Sequence, residues 1–150
     1  MTSFHAFAVH APIGLSLLAP FVCALLTFLI LRRGVDKRAW WVAVLVAMSI
    51  AIGSFVASSS GDTERHVIRE GVPAAALDEH EAAGNWVVIS SCVFSLACLV
   101  AALDRNEKRR KIVMIASIVL ACHVASTAIR TGYLGGKLVY EHNAAAFRHD

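Results

Sequence analysis

Charged residues are absent from four long stretches of this 150-residue chain, at positions 11–31, 39–60, 82–103 and 112–129. Each stretch is close to the roughly 20 residues that a helix needs to cross the hydrocarbon core of a bilayer. Hydrophobic residues make up 57% of the chain, which exceeds the apolar share of about 45–50% in soluble domains. Backbone groups in lipid must pair within their own segment. The stretches are therefore predicted to be transmembrane helices rather than core helices of a soluble protein.

The motifs of several enzyme and metal-site classes are missing too. No P-loop, Rossmann glycine fingerprint or GxSxG elbow occurs. His80 and Glu81 do not begin the HExxH motif of zinc proteases, because residue 84 is Gly. The four cysteines lie inside the apolar stretches without CxxC spacing. They are therefore interpreted as small buried residues, not as a disulfide framework or a zinc finger. No signal-peptide features flank the first stretch, which is expected to remain as a membrane helix.

Positive charge is concentrated in two short connections between the apolar stretches. Residues 32–38 hold four of the 14 Lys and Arg residues, and residues 104–111 hold five. Short loops rich in Lys and Arg stay in the cytoplasm. Both termini and the segment 59–85 are therefore predicted to be periplasmic, in a multi-pass protein of a bacterial inner membrane. The net charge of +3 then reflects membrane topology, and no nucleic-acid partner is indicated.

The predicted fold is all-α, with one domain at 1–150 that forms an integral membrane four-helix bundle of up-down-up-down order. A short periplasmic helix is predicted at 74–81, in the loop between the second and third membrane helices, because good helix formers follow Pro73. It is expected to run into the third membrane helix. Trp40, Trp41 and Trp86 fall at the ends of apolar stretches. Their amphipathic rings are expected to lie at the membrane interface.

Histidines gather at the predicted outer end of the bundle, which holds six of the seven: His5, His10, His66, His80, His142 and His149. His10 is followed four residues later by Gly14, and His80 by Gly84. In a helix such a pair shares one face, so each imidazole has a residue without a side chain one turn deeper. A porphyrin needs this combination of a ligand for iron and a flat space for its ring. The alternative is that these glycines serve helix packing alone, as small residues commonly do in membranes.

A third histidine and a carboxylate could complete such a site. His142 lies close after Gly135 and Gly136, which permit close approach of a ligand or a neighbouring backbone. Asp62 closes the second apolar stretch. A carboxylate of this kind could orient a metal-bound imidazole by accepting its second N–H, or could bind a metal directly.

The remaining histidines are interpreted differently. His5, His66 and His149 are expected to be solvated, since they lie near the termini or in the outer loop. His123 lies within the fourth apolar stretch. It is predicted either to face the bundle interior as a functional group, or to be a neutral imidazole bonded to a neighbouring backbone group or hydroxyl.

Two motifs near the ends of the chain resemble those of a known family. They are AVHAPIGLSLLAP at 8–20 and LGGKLVYEH at 134–142. Over nearly its whole length the chain is similar to small bacterial inner-membrane proteins known only as a domain of unknown function, with a VHFPIG-like opening and a GGxLVYxHG-like ending. The resemblance implies a four-helix membrane domain with partners among periplasmic cytochromes and redox proteins. It carries over to His10, Pro12, Gly14, Asp62, His80, Gly135, Gly136, Tyr140 and His142, and the chain departs from it at Ala11, Asn143 and Ala144.

The leading functional hypothesis is a membrane b-type haem protein that transfers electrons at the periplasmic face, since bundle interiors bind cofactors between facing helices. The candidate ligands are His10, His80 and His142, and the other candidate cofactor-binding residues are Gly14, Gly84, Asp62 and Tyr140. One alternative is a haem-free iron, copper or zinc site on the same histidines. Another is a non-catalytic assembly subunit that docks a partner or a second copy. All three favour an electron carrier or binding subunit over a stand-alone enzyme.

Overall fold

The described residues form helices joined by short connections, with no strand among them. The computed structural model describes residues 5, 8–68, 71–142 and 144, with the backbone alone at 63, 64 and 66–68. The four long helices are α1 (His10–Arg33), α2 (Trp41–Ile68), α3 (Ala74–Leu103) and α4 (Glu107–Tyr140), and a 3₁₀ turn at Lys37–Trp40 precedes α2. Each predicted apolar stretch lies in a helix that is long and apolar enough to cross a membrane, which confirms the all-α membrane prediction.

Each helix packs against its two neighbours around a closed bundle. Contacts join α1 to α2, α2 to α3, α3 to α4 and α4 back to α1. The two basic connections are short, which makes consecutive helices antiparallel. α1 ends at Arg33, and the next residue is Gly34. Its φ of 68° is the left-handed conformation that lets the chain reverse without a Cβ clash. α4 begins after Asn106, whose side chain accepts a hydrogen bond from the backbone N–H of Arg109 at 3.1 Å.

Small side chains fill the centre of the bundle, and large apolar ones point outward. Buried positions include the alanines 19, 43, 47, 101 and 121 and the serines 16, 91 and 117. Small residues let membrane helices approach closely. The buried serine hydroxyls donate to carbonyls of the preceding turn, as in Ser117 Oγ to Val113 O at 2.9 Å. Phe21, Leu45 and Val119 are instead largely exposed, as expected of side chains that face lipid tails.

Trp40 differs from the other two tryptophans in its burial. Its ring is only 1% exposed, whereas Trp41 and Trp86 are 43% and 58% exposed. The Trp40 indole N–H donates to the Cys98 carbonyl at 3.0 Å, across the bundle to α3. Trp40 therefore faces the bundle interior, because the 3₁₀ turn directs this ring inward and the next one outward. Of the four free cysteines, Cys23 and Cys98 are buried as predicted, but Cys92 and Cys122 are exposed.

The outer ends of three helices extend beyond their apolar stretches. α2 continues past residue 60 to Ile68, α3 begins at Ala74, and α4 continues past residue 129 to Tyr140. At 1.5 Å per residue, the 34 residues of α4 span about 50 Å, more than the hydrocarbon core. The predicted short helix at 74–81 is the first part of α3, because no helix breaker separates it from the membrane span. The outer loop is correspondingly short, and a polar site can be built on helical frames above the apolar layer.

Candidate functional site

A cavity of about 500 Å³ lies at the outer end of the bundle, where the apolar stretches give way to polar helix ends. All four helices contribute to its wall. Its deeper residues are apolar or small, for example Pro12, Ala57 and Ala128, and its outer residues include Arg65 and Glu81. Among the residues that the structure describes, the histidines that line it are His5, His10 and His80. The cavity therefore combines an apolar floor with nitrogen ligands and a charged mouth.

The rings of His5 and His80 lie near each other in this cavity. Their ring centroids are 6.4 Å apart, and the ring planes are nearly perpendicular at 88°. His80 lies on α3, in the part that precedes its apolar stretch. His5 precedes α1 and is itself helical, with its carbonyl accepting the backbone N–H of Val9 at 3.1 Å. Two helix ends that are distant in sequence thus bring two imidazoles to one level.

Hydrogen bonds determine which nitrogen of His5 is available to a ligand. His5 Nδ1 lies 2.9 Å from the Ala57 carbonyl oxygen and 3.0 Å from Ser60 Oγ. The Ser60 hydroxyl donates to the same carbonyl at 2.8 Å. A carbonyl can only accept, so Nδ1 carries the proton that it donates, and in the neutral ring Nε2 carries the lone pair. α2 therefore orients His5 in the way that a second hydrogen-bond partner orients a metal-binding imidazole.

His80 has a ring nitrogen without a partner. Its Nδ1 is buried and makes no hydrogen bond within the described part of the chain. The ring also lies close to the backbone of Thr131 on α4. In the neutral tautomer that is protonated at Nε2, Nδ1 carries a lone pair. A buried acceptor without a partner costs free energy, and a bound ligand at this nitrogen would remove that cost.

Glycines make room for both rings. A Cβ on Gly61 would lie 3.1 Å from His5 Cε1, and a Cβ on Gly135 would lie 3.1 Å from His80 Cε1. Both distances are tighter than ordinary van der Waals contact, so each imidazole packs directly on a helix backbone. At Gly84 and Gly136, which also line the cavity, a Cβ would meet no atom within 4 Å. These two positions leave open space beside the histidines.

Ion pairs hold the outer helix ends together around the cavity mouth. The Arg65 guanidinium on α2 pairs with Asp78 and Glu81 on α3. Arg130 on α4 pairs with Glu79 on α3, with Nη2 and Oε1 3.4 Å apart. Arg65 and Glu81 also line the cavity. Pairs that are partly exposed contribute little free energy each, so their main effect is to set the spacing of the helix ends.

The comparisons with known proteins identify a family. The profile of the family described as "Predicted membrane protein (DUF2231)" matches residues 2–147. The chain belongs to the DUF2231 family. No curated protein and no solved structure matches it. The match includes both terminal motifs, at 8–20 and 134–142. It confirms the predicted membership in a membrane family known as a domain of unknown function.

Most of the residues predicted for the site in this DUF2231 chain reach the cavity, but not all. Its lining includes His10, Asp62, His80, Gly84 and Tyr140. Gly14 and His142 are not in the lining. Gly14 is exposed, and a Cβ there would meet nothing within 4 Å. Both residues of the His80–Gly84 pair therefore line the cavity, whereas only the histidine of the His10–Gly14 pair does.

The predicted trio His10, His80 and His142 does not form a metal site of three ligands. Among the described residues, no group of three or more His, Cys, Asp or Glu side chains could hold a metal ion. The binding roles of the individual residues stay predictions. What the structure brings together instead is a pair of histidines, one of which was not predicted.

His5 is the residue that sequence reasoning missed. It was expected to be solvated near a frayed terminus, but it is half-buried and anchored to α2. Two features of the sequence could have pointed to this site. Ser60 supplies a hydroxyl to His5 and Gly61 leaves space for its ring, and Gly135 in the closing motif leaves space for His80. His66 was assigned to a loop, whereas its backbone lies in α2. The side chain of His66 and all of His149 lie outside the described residues.

Proposed function

We propose that this DUF2231 protein binds a b-type haem at the outer end of the bundle and transfers electrons there. The observation that supports this best is the His5–His80 pair. Two imidazoles on opposite sides of one metal ion, at bond lengths of about 2 Å, have ring centroids roughly 6 Å apart. The 6.4 Å between His5 and His80 is close to that separation. Each ring also has a nitrogen whose lone pair is not used by the protein.

The cavity meets the other requirements of a haem. It has about 500 Å³ of space, and glycines rather than side chains stand beside both imidazoles. Apolar residues such as Pro12, Val87 and Leu138 would exclude water from the ring. Haem iron needs no more than two protein ligands, whereas zinc sites take three or four.

The residues of the chain have distinct roles in this proposal. His80 and His5 would hold the iron, and the Ala57 carbonyl would keep the His5 ring in one orientation and make it a better ligand. When bound, haem supplies a centre that takes up and releases single electrons. Asp62 and Tyr140 are exposed at the cavity mouth, so a soluble redox protein could approach from the outer side. We propose a periplasmic cytochrome or redox protein as that partner.

The proposal is tested by an absorption spectrum of the purified full-length protein together with metal analysis. We expect a Soret band, sharp visible bands on reduction, and iron in a fixed ratio to protein. A colourless protein that contains stoichiometric zinc, copper or iron would support the haem-free site instead. A colourless, metal-free protein that also fails to bind added haemin would refute the proposal and leave the assembly-subunit hypothesis.

The proposal also requires a particular orientation of the protein in the membrane, with the cavity on the periplasmic side. Because the basic connections at 32–38 and 104–111 hold the cytoplasmic side, both termini should be periplasmic in the bacterial inner membrane. A fluorescent protein that matures only in the cytoplasm should stay dark when fused after Asp150 and should be bright when fused after Arg105. Bright fluorescence from the fusion at Asp150 would contradict the orientation and place the cavity on the cytoplasmic side.

A further inference from the structure

A second cavity lies on the side surface of the bundle, between α3 and α4, where the helices face lipid. We call it the seam cavity; it has about 250 Å³ and is lined by Ala83, Trp86, His123, Thr127 and Arg130. Trp86 is 58% exposed and His123 is exposed, so the cavity opens away from the bundle centre. The prediction that His123 faces the bundle interior is therefore wrong. His123 faces the side on which the neighbouring large apolar residues meet lipid.

The imidazole of His123 has no partner in the described part of the chain. Its backbone carbonyl accepts from Thr127 Oγ1 at 3.2 Å, and that hydroxyl also donates toward the Val124 carbonyl at 2.9 Å. Neither bond reaches the ring, so the alternative prediction of a locally bonded imidazole is not met either. A polar ring in lipid without a hydrogen bond costs free energy. Ionisable residues inside a membrane segment commonly mark a functional site.

Polar groups continue from His123 up to the membrane interface. His123, Thr127 and Arg130 follow one another at intervals of four and three residues, so they share one face of α4. The distance along the helix from His123 to Arg130 is about 10 Å. Arg130 directly follows the apolar stretch, and its pair with Glu79 uses one guanidinium nitrogen. The Trp86 ring on α3 forms an aromatic wall opposite this stripe.

We propose that the seam cavity binds the headgroup of a membrane quinone. A quinone has a flat ring with carbonyl oxygens on opposite edges and a long apolar tail. His123 can donate to one oxygen and Arg130 to groups nearer the interface, while Trp86 covers the face of the ring. The tail stays in the lipid. An anionic phospholipid fits less well, because its phosphate would meet Arg130 while its acyl chains lay against the unpaired imidazole of His123.

The cavity of about 500 Å³ that His5, His10 and His80 line, here called the histidine cavity, lies on the opposite side of α3 and α4 from the seam cavity. Neighbouring residues face opposite ways: Thr127 and Arg130 line the seam cavity, and Ala128 and Thr131 line the histidine cavity. One layer of helix therefore separates the two. Transfer of electrons from a quinol to the histidine cavity would rest on the proposed function, but quinone binding does not, so it is tested on haem-free protein.

The test measures quenching of tryptophan fluorescence by a decyl-tailed ubiquinone, in full-length haem-free protein with Trp41→Phe and a neutral detergent. The remaining tryptophans are Trp86 at the seam cavity and Trp40, which is buried inside the bundle. We expect saturable quenching. His123→Leu, whose side chain is compatible with lipid, should weaken binding about tenfold, the value of one good hydrogen bond. His123→Gln keeps a donor and should retain most of the affinity. Val119→Ala, one turn deeper on the exposed face of α4, should bind as the parent does.

Three results would overturn the proposal. One is quenching that does not saturate, or that is equal in His123→Leu and Val119→Ala. Another is saturable quenching by a brominated phosphatidylglycerol that Arg130→Gln removes and His123→Leu does not, which would assign the seam cavity to an anionic lipid. The last is a dimer that His123→Leu dissociates, which would assign it to a second copy of the chain.

Discussion

His80→Ala is expected to abolish haem binding. The ring of His80 lies at the cavity wall, and its buried Nδ1 has no other partner within the described residues. Loss of a residue that merely supports a metal ligand costs about 10–100-fold in affinity, so loss of the ligand itself should cost more than about 100-fold. Titration of purified apoprotein with haemin, followed at the Soret band, measures the change.

Matched variants distinguish a ligand role from a general loss of structure. His5→Ala should also weaken haem binding, and any haem that stays bound should have a shifted spectrum and potential, because axial ligand identity is a main determinant of both. His142→Ala, outside the cavity lining, should resemble the parent protein. If His80→Ala retains the parent spectrum while folding normally, His80 is not a ligand. His10, which also lines the cavity, would then be tested next.

Gly135→Val is expected to displace the His80 ring and weaken haem binding by at least about tenfold. Even a single Cβ at this position would lie 3.1 Å from His80 Cε1, and a branched side chain adds two further carbons. Overpacking of this kind costs about 1–3 kcal/mol, and about 1.4 kcal/mol corresponds to a factor of ten in affinity. Haemin titration and the position of the visible bands measure the effect.

Two other glycines provide controls for this substitution. Gly14→Val places the same side chain in open space outside the cavity, so haem affinity should not change. Gly136→Ala, next to Gly135, adds a Cβ that meets nothing within 4 Å and should also be tolerated. Full haem binding by Gly135→Val would show that the close approach of His80 to α4 is a packing feature only. Circular dichroism and size-exclusion chromatography of each variant report whether the bundle is intact.

The candidate site was predictable in part. His80, Gly84 and Asp62 were recognisable because a helix has a fixed period and because they sit where an apolar stretch begins or ends. The partner of His80 was not recognisable. Whether His5, His10 or His142 meets it depends on where helix ends cross and on which backbone lacks a Cβ at that point. The close fit of His80 on Gly135 and of His5 on Gly61 joins residues far apart in the sequence, and one sequence without its relatives does not record such contacts.

The four membrane helices follow from the sequence by itself, because an uncharged stretch of about 20 residues is a local property and lipid requires the backbone to be helical. The rotation of each helix was decided only by the tertiary structure. Trp40 and Trp41 are adjacent and equally apolar, yet one is buried and the other exposed. One of the two predictions for His123 placed it in the bundle interior, and the residue lies outside. In a membrane both faces of a helix are apolar, so hydropathy does not distinguish the bundle side from the lipid side. Packing of small residues between neighbouring helices makes that choice.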